Sequence, residues 1–192
     1  MFIRNWKTEI LTIPNLLSIL RLGMIPVYVE LYRNAQDSGD YWIAGAVLAL
    51  SCLTDAADGY IARRFHMISL LGKVLDPIAD KATQIALTLC LCLRFPVLKA
   101  VLALLLVKES FQVAACIVSF RRGKMLSGAM PAGKICTAVL FISLIALVVF
   151  PEPKGWVVNT VAITDCVFLT FSFISYMLAY WGKHPRIRDV DF

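Results

Sequence analysis

Two short stretches near the middle of the chain decide its fold: residues 55–63 read DAADGYIAR, and residues 72–81 read GKVLDPIADK. Each lies in a run of apolar residues long enough to cross a membrane, yet together they carry four aspartates. A membrane-crossing helix needs about 20 mostly apolar residues, and an ionised acid within it costs about 2.5–3.5 kcal/mol on insertion scales. Acids in these positions therefore need a function, or partners that offset the cost.

The whole 192-residue chain has the composition of a membrane protein. Apolar residues make up 59% and charged residues 17%, whereas soluble domains average about 45–50% and about 25%. This excess nearly excludes a soluble globular enzyme, and the six cysteines are too few for a disulfide scaffold. We attribute the net charge of +6 to loops facing anionic lipid or to an anionic substrate, and we expect no nucleic-acid partner.

Six apolar runs predict an all-α integral membrane protein with six transmembrane helices and one domain over residues 1–192. The runs cover Ile13–Arg33, Tyr41–Ile61, Leu70–Leu93, Val97–Phe120, Ile135–Phe150 and Trp156–Trp181. Residues 1–12 mix apolar and charged side chains, which predicts a short interfacial helix before the bundle of residues 13–181. Residues 182–192 are then a cytoplasmic tail.

Basic residues in the predicted loops set the orientation. With both termini on one side, that side holds twelve lysines and arginines and the other side four. The positive-inside rule then places both termini in the cytoplasm, so we expect a multi-pass protein of the cell's inner (cytoplasmic) membrane with its active site on the cytoplasmic side. Asp165, deep in the sixth run, has no chemical partner in the sequence pattern, and we expect it to pair with a neighbouring helix.

The spacing of the four aspartates predicts a metal site near the cytoplasmic ends of two helices. Asp55 and Asp58 are three residues apart and Asp76 and Asp80 four, so each pair projects from one helical face. A short loop makes the two helices antiparallel neighbours, and four converging carboxylates would repel one another. Divalent cations with oxygen ligands relieve that repulsion, which favours Mg²⁺, Mn²⁺ or Ca²⁺ over zinc, with room for two ions.

Two other interpretations of these acids stay open at this point. They could form a salt-bridge network at the helix ends with nearby cations, namely Arg63, Arg64, Lys73 and Lys81. They could also bind the cation of a transporter, although such sites are expected at mid-membrane on broken helices. Gly59 and Gly72 favour a substrate site, because a missing side chain lets a bulky ligand approach the backbone.

The same residues resemble the signature of the CDP-alcohol phosphotransferases, D-x-x-D-G-x-x-A-R and, eight residues later, G-x-x-x-D-x-x-x-D. Every fixed position is filled in residues 55–80. The resemblance implies a homodimeric membrane transferase that displaces CMP from a CDP-linked lipid. It implies that Asp55, Asp58 and Asp76 bind two divalent ions, and that Asp80 is both a ligand and the general base. Donor-binding residues implied in the same way are Asp58, Gly59, Ala62, Arg63 and Gly72.

Three further segments bear on the acceptor alcohol. Residues 13–21 resemble the I-P-N-x-x-T-x-x-R segment of bacterial phosphatidylglycerolphosphate synthases and CMP-forming cardiolipin synthases, with Ser18 in place of Thr. This resemblance places Asn15 at the donor site, although its position after Pro14 equally fits a helix N-cap. Lys108-Glu109 stands where those enzymes have Arg-Glu, and Gly133-Lys134 matches the start of their fifth helix.

A phosphorylated acceptor would need a basic cluster, and Lys134, Arg121 and Lys108 are its candidate residues. We therefore expect CDP-diacylglycerol as the donor and glycerol-3-phosphate as the acceptor, giving phosphatidylglycerolphosphate. The alternatives are phosphatidylglycerol, as in a cardiolipin synthase, and an acceptor such as serine or inositol phosphate.

Overall fold

The computed structural model describes residues 13–64, 70–121, 124–126, 130–150, 152–181 and 187–189, and this part of the chain is almost entirely helical. Its elements, in chain order, are α1 (Ile13–Asn34), α2 (Ser38–Arg64), α3 (Leu70–Arg94), α4 (Leu98–Arg121), β1 (Lys124–Leu126), α5 (Pro131–Val149), α6 (Gly155–Trp181) and β2 (Ile187–Asp189). The six predicted helices are confirmed to within four residues at each end. The predicted interfacial helix of residues 1–12 lies outside the described residues.

Three of these helices have the length and composition of membrane spans. Among the described residues, the segments that meet both conditions are Leu98–Ser119, Pro131–Val149 and Gly155–Tyr180. The helices α1, α2 and α3 are long enough, at 22, 27 and 25 residues, but polar and charged residues interrupt their apolar character. Three candidate spans are therefore shown, and the crossing of the membrane by all six helices stays a prediction.

The chain divides into two compact units, Met1–Cys90 and Leu91–Phe192. In the first unit α1 packs along α2, and the rings of Tyr32 and Tyr41 meet edge to face with 5.2 Å between their centroids. The turn before α2 is closed by two aspartates: Asp37 Oδ1 accepts from the Asp40 backbone N–H at 3.0 Å, and Asp40 Oδ2 accepts from the Gln36 N–H at 2.9 Å. This reciprocal cap fixes where α2 begins.

In the second unit α6 packs against both α4 and α5 around buried leucines such as Leu105, Leu140 and Leu169. Asp165 on α6 is 1% exposed, and both of its carboxylate oxygens lie within 2.9 Å of Ser143 Oγ on α5. The expectation that Asp165 pairs with a neighbouring helix is confirmed.

A small antiparallel pairing of β1 with β2 is the one described feature that departs from the all-α prediction. Its register places Lys124 opposite Asp189 and Leu126 opposite Ile187. Residues 187–189 belong to the segment predicted as a tail, so part of that tail pairs with the connection after α4.

Candidate active site

Three helices of the first unit meet around one small cavity. The cavity measures about 10 Å³ and is lined by residues of α1, α2 and α3: Met24, Ile25, Tyr28, Val47, Leu48, Ser51, Thr83 and Ala86. Ser51 on α2 and Thr83 on α3 therefore lie at about the same level of the unit. The distance of each of the four aspartates from the cavity can therefore be measured along its helix, from Ser51 on α2 and from Thr83 on α3.

The helical register brings the aspartates to matching levels. Ser51 precedes the end of α2 at Arg64 by 13 residues, and Thr83 follows the start of α3 at Leu70 by 13 residues. An α-helix rises about 1.5 Å per residue. Asp55 therefore lies about 6 Å beyond Ser51 along α2, and Asp80 lies about 4.5 Å before Thr83 along α3. Asp58 and Asp76 are each seven residues, or about 10.5 Å, from the same two reference residues. By this calculation Asp55 and Asp80 lie at similar distances along the helices from the cavity, and Asp58 and Asp76 lie at equal distances from it.

Asp80 is the one aspartate of the four whose side chain the structure describes, and it meets Arg21 of α1. Arg21 Nη1 donates to Asp80 Oδ1 at 2.7 Å, with Arg21 2% exposed and Asp80 42% exposed. A charge-assisted hydrogen bond of this length stabilises the ionised carboxylate and orients it. An arginine in an apolar helix is costly unless it meets an acid or a phosphate, and here it meets the predicted general base.

Arg21 continues a buried polar face of α1. Ser18 lies about one turn and Asn15 about two turns before it, and both are fully buried. Because α1 begins at Ile13, Asn15 lies inside the first helical turn and does not occupy the cap position before it. The N-cap interpretation of Asn15 is therefore wrong, while its assignment to the donor site stays a prediction.

The acceptor candidates of the second unit lie in two different environments. Lys108 is 3% exposed; its Nζ donates to Glu109 Oε1 at 2.6 Å and lies 5.8 Å from the centre of the Tyr176 ring. Lys134 is exposed in the first turn of α5. An exposed ammonium beside the N-terminal N–H groups of a helix suits an anion, whereas Lys108 is already neutralised by its neighbour.

Tyr176 connects these two environments, a contact that no local pattern indicates. Its hydroxyl accepts from the Met130 backbone N–H at 3.3 Å, just before α5, and its ring packs on Gly133. A Cβ at position 133 would lie 2.6 Å from the Tyr176 hydroxyl oxygen and 2.9 Å from its Cε2. A glycine at position 133 therefore leaves room for the Tyr176 ring to pack against the first turn of α5, which carries Lys134.

The other predicted site residues are located by their backbone alone. Asp55, Asp58, Gly59, Ala62 and Arg63 lie in the C-terminal part of α2, Gly72 and Asp76 lie in the N-terminal part of α3, and Arg121 is the last residue of α4. Their side chains are outside the described part of the chain. Their roles as metal ligands, donor contacts and acceptor contact stay predictions.

Comparison with known proteins identifies the class. A family model described as CDP-alcohol phosphatidyltransferase matches residues 11–179, which takes in both compact units. The chain therefore belongs to the CDP-alcohol phosphatidyltransferase family.

Individual relatives carry two kinds of name. A protein of Streptomyces coelicolor named cardiolipin synthase (CMP-forming) is 31% identical over 83% of this chain and 75% of its own length. A Pseudomonas fluorescens protein named CDP-diacylglycerol–glycerol-3-phosphate 3-phosphatidyltransferase is 39% identical over 37% of this chain and 36% of its own length. A Schizosaccharomyces pombe cardiolipin synthase/hydrolase fusion protein is 39% identical over 64% of this chain, which spans only 20% of that protein.

Replacing Arg21 tests whether its ion pair stabilises the first unit. Removing one partner of a buried pair costs about 3–5 kcal/mol, and the lower end applies here because Asp80 is partly exposed. We expect Arg21→Met to lower the melting temperature in detergent strongly and Arg21→Lys to lower it less. Arg33→Met, which changes an exposed arginine in the last turn of the same helix, is the matched control. Equal melting temperatures for Arg21→Met and Arg33→Met would show that the ion pair contributes nothing.

Substituting Gly133 tests the contact with Tyr176. Gly133→Ala overpacks this contact and is expected to cost about 1–3 kcal/mol of stability, seen as a lower melting temperature. Gly23→Ala is the control, because nothing lies within 4 Å of a Cβ there and alanine favours a helix by up to about 1 kcal/mol. Adding Tyr176→Phe to Gly133→Ala should recover part of the loss; no recovery would mean that the destabilisation arises elsewhere.

Proposed function

We propose that this protein transfers the phosphatidyl group of CDP-diacylglycerol to the hydroxyl of a glycerol-containing acceptor and releases CMP. The observation that supports this proposal most is the complete family signature on α2 and α3, whose helical register brings the four aspartates to two matching levels. Family membership supports the transfer chemistry, and the donor and acceptor are part of the proposal.

Asp80 is the general base in this proposal. Its carboxylate accepts the proton of the acceptor hydroxyl, and the resulting oxygen attacks the phosphorus that bears diacylglycerol. The bond from that phosphorus to the bridging oxygen of the pyrophosphate breaks, and CMP leaves with the electron pair. The Arg21 contact at 2.7 Å supports this role, because it orients the carboxylate while 42% of the side chain stays accessible.

Two divalent cations, Mg²⁺ or Mn²⁺, fit the donor set. Carboxylate oxygens are the ligands that these ions prefer, and we assign Asp55, Asp58, Asp76 and Asp80 to hold them. When bound, such ions neutralise the pyrophosphate and the departing CMP. Gly59, Ala62, Arg63, Gly72 and Asn15 are then left to bind the nucleotide part of the donor, with Arg63 suited to a phosphate.

Glycerol-3-phosphate is our first choice of acceptor. Lys134 is exposed at the start of α5, where an ammonium and helix N–H groups can bind a phosphate together. The name of the Pseudomonas fluorescens relative includes this acceptor. Lys108 is a weaker candidate, since Glu109 already pairs with it.

Phosphatidylglycerol is the second candidate acceptor. The Streptomyces coelicolor relative, whose match extends over 83% of this chain, is named a cardiolipin synthase. In either case we propose an inner-membrane homodimer with its active site on the cytoplasmic side, since the charge distribution predicts that orientation.

Aspartate variants test the reaction. Purified protein with CDP-diacylglycerol, Mg²⁺ and glycerol-3-phosphate is expected to release CMP, and chelation of Mg²⁺ is expected to stop the release. Asp80→Asn should reduce the rate by at least about a hundredfold, the lower range for loss of a general base. Asp76→Asn should also abolish release while leaving the Arg21 pair intact.

Asp37→Asn is the matched control, because Asp37 caps α2 far from the signature and asparagine also caps. A melting curve on each sample separates lost catalysis from lost folding. Undiminished CMP release by folded Asp80→Asn protein would contradict the proposed base.

An acceptor panel distinguishes the two candidate acceptors. We expect product from glycerol-3-phosphate, and we expect Lys134→Gln to raise its KM about tenfold with little change in the KM for CDP-diacylglycerol, because one charge-assisted contact to phosphate is lost. Lys154→Gln, at an exposed lysine before α6, is the control. Product from phosphatidylglycerol alone would instead identify a cardiolipin synthase and remove the phosphate role of Lys134.

A further inference from the structure

Tyr176 on α6 is a buried residue that the proposed reaction has not yet used. It is 4% exposed, and its contacts reach α4 and the start of α5. Its hydroxyl oxygen accepts from the Met130 backbone N–H at 3.3 Å, and its ring lies against Gly133. Lys108 Nζ lies over the same ring, 5.8 Å from its centre. One side chain thus contacts both parts of the second unit that carry predicted acceptor cations, Lys108 and Lys134.

The first turn of α5 depends on Tyr176 because it has no cap of its own. Met130 is the N-cap residue, and its side chain makes no capping hydrogen bond. In a capping box the N-cap N–H is bonded by a glutamate or glutamine three residues later. That position is Gly133 here, and the Tyr176 hydroxyl accepts from the Met130 N–H instead. A residue of another helix therefore holds the start of α5.

Lys134 is connected to Tyr176 through a single residue. The Lys134 backbone N–H donates to the Met130 carbonyl at 3.1 Å, and the Met130 N–H donates to the Tyr176 hydroxyl. Gly133, next to Lys134, is buried against the ring. The backbone of Lys134 is thus fixed against α6 while its side chain is exposed. Holding a binding group in place before its ligand arrives lowers the cost of binding.

The ring of Tyr176 also contributes to the placement of Lys108. Lys108 is 3% exposed and donates to Glu109 at 2.6 Å. A cation within about 6 Å of a ring centroid is attracted to the aromatic face, so the ring adds a second contact to the Lys108 ammonium. The exposed Lys134 is the cation left accessible to an anion, and Tyr176 holds the turn that presents it.

We propose that Tyr176 is a positioning residue for the acceptor, which holds the first turn of α5 so that Lys134 meets the acceptor phosphate. The inference rests on the proposed function, in which Lys134 binds the phosphate of glycerol-3-phosphate. Tyr176 acts without touching the substrate, since it is buried and its hydroxyl already accepts from Met130. Its effect therefore reaches the acceptor through Lys134 and leaves the donor unchanged.

Tyr176→Phe tests this assignment, because it keeps the ring and removes the oxygen that accepts from Met130. The KM for glycerol-3-phosphate should rise about threefold, less than for loss of the lysine itself. The kcat and the KM for CDP-diacylglycerol should change little. Tyr180→Phe, one turn further along α6 at a half-buried position, is the matched control and should leave both KM values unchanged. Gly133→Ala disturbs the same contact from α5 and should also raise the acceptor KM.

A double variant distinguishes positioning of Lys134 from general loosening of the second unit. If Tyr176 acts through Lys134, adding Tyr176→Phe to Lys134→Gln should change the acceptor KM little further, because the positioned cation is already gone. Two independent effects would instead multiply to about thirtyfold, and that result would overturn the inference. A donor KM that rises as much as the acceptor KM would overturn it as well.

Binding without turnover separates this inference from the proposed function. Glycerol-3-phosphate at one fixed concentration should raise the melting temperature of wild-type and Tyr180→Phe protein, and should raise that of Tyr176→Phe less. If wild-type protein releases no CMP yet shows this pattern, the transferase proposal fails and the positioning of Lys134 stands. Equal shifts in wild-type and Tyr176→Phe protein, or no shift in either, overturn the inference. Product from phosphatidylglycerol alone also overturns it, since the phosphate role of Lys134 is then removed.

Discussion

A guanidinium that is almost completely removed from water imposes the main constraint on the first unit. Arg21 is 2% exposed in an otherwise apolar helix, and an unpaired charge there would cost several kcal/mol. Its bond to Asp80 ties α1 to α3 and thereby sets which face of α1 is turned inward. Asn15 and Ser18 lie on that face by helical spacing, so the rotation that satisfies Arg21 also buries these two polar residues.

The bond between Arg21 and Asp80 links the stability of the first unit to the proposed reaction. An anion that neutralises a buried arginine must stay ionised, and a general base must also be ionised before it can accept a proton. In the proposed reaction Asp80 serves both purposes: Arg21 Nη1 contacts its Oδ1 at 2.7 Å, and a carboxylate has capacity for further contacts. Substitutions at Asp80 therefore change folding and activity together, which is why Asp76 is the more informative position for separating them.

The sequence predicts the helices well and their pairings poorly, and the reason is physical. Apolar runs and turn segments are local, so the ends of α1 to α6 follow from composition, and the spacing of the aspartates predicts a site on α2 and α3. The Arg21–Asp80 pair joins residues that are 59 positions apart, and no local sequence pattern predicts such a contact. For the same reason the β1–β2 pairing and the contact of Tyr176 with Gly133 were not predicted, and Asp165 was expected to have a partner without Ser143 being identified.

The distribution of polar residues also explains why only the second unit carries clear membrane-span composition. The helices α4, α5 and α6 qualify as candidate spans because they are long and apolar and carry few charges. Of their buried ionic groups, Lys108 meets Glu109 and Asp165 meets Ser143. In α2 and α3 the signature itself places five charges, and in α1 the polar face ends at Arg21. The residues that lower the hydropathy of α2 and α3 thus include those assigned to metal and donor binding. Low hydropathy there does not argue against a membrane location, because a polar face turned towards other helices leaves apolar side chains such as Leu16, Leu20 and Leu53 exposed, as lipid contact requires.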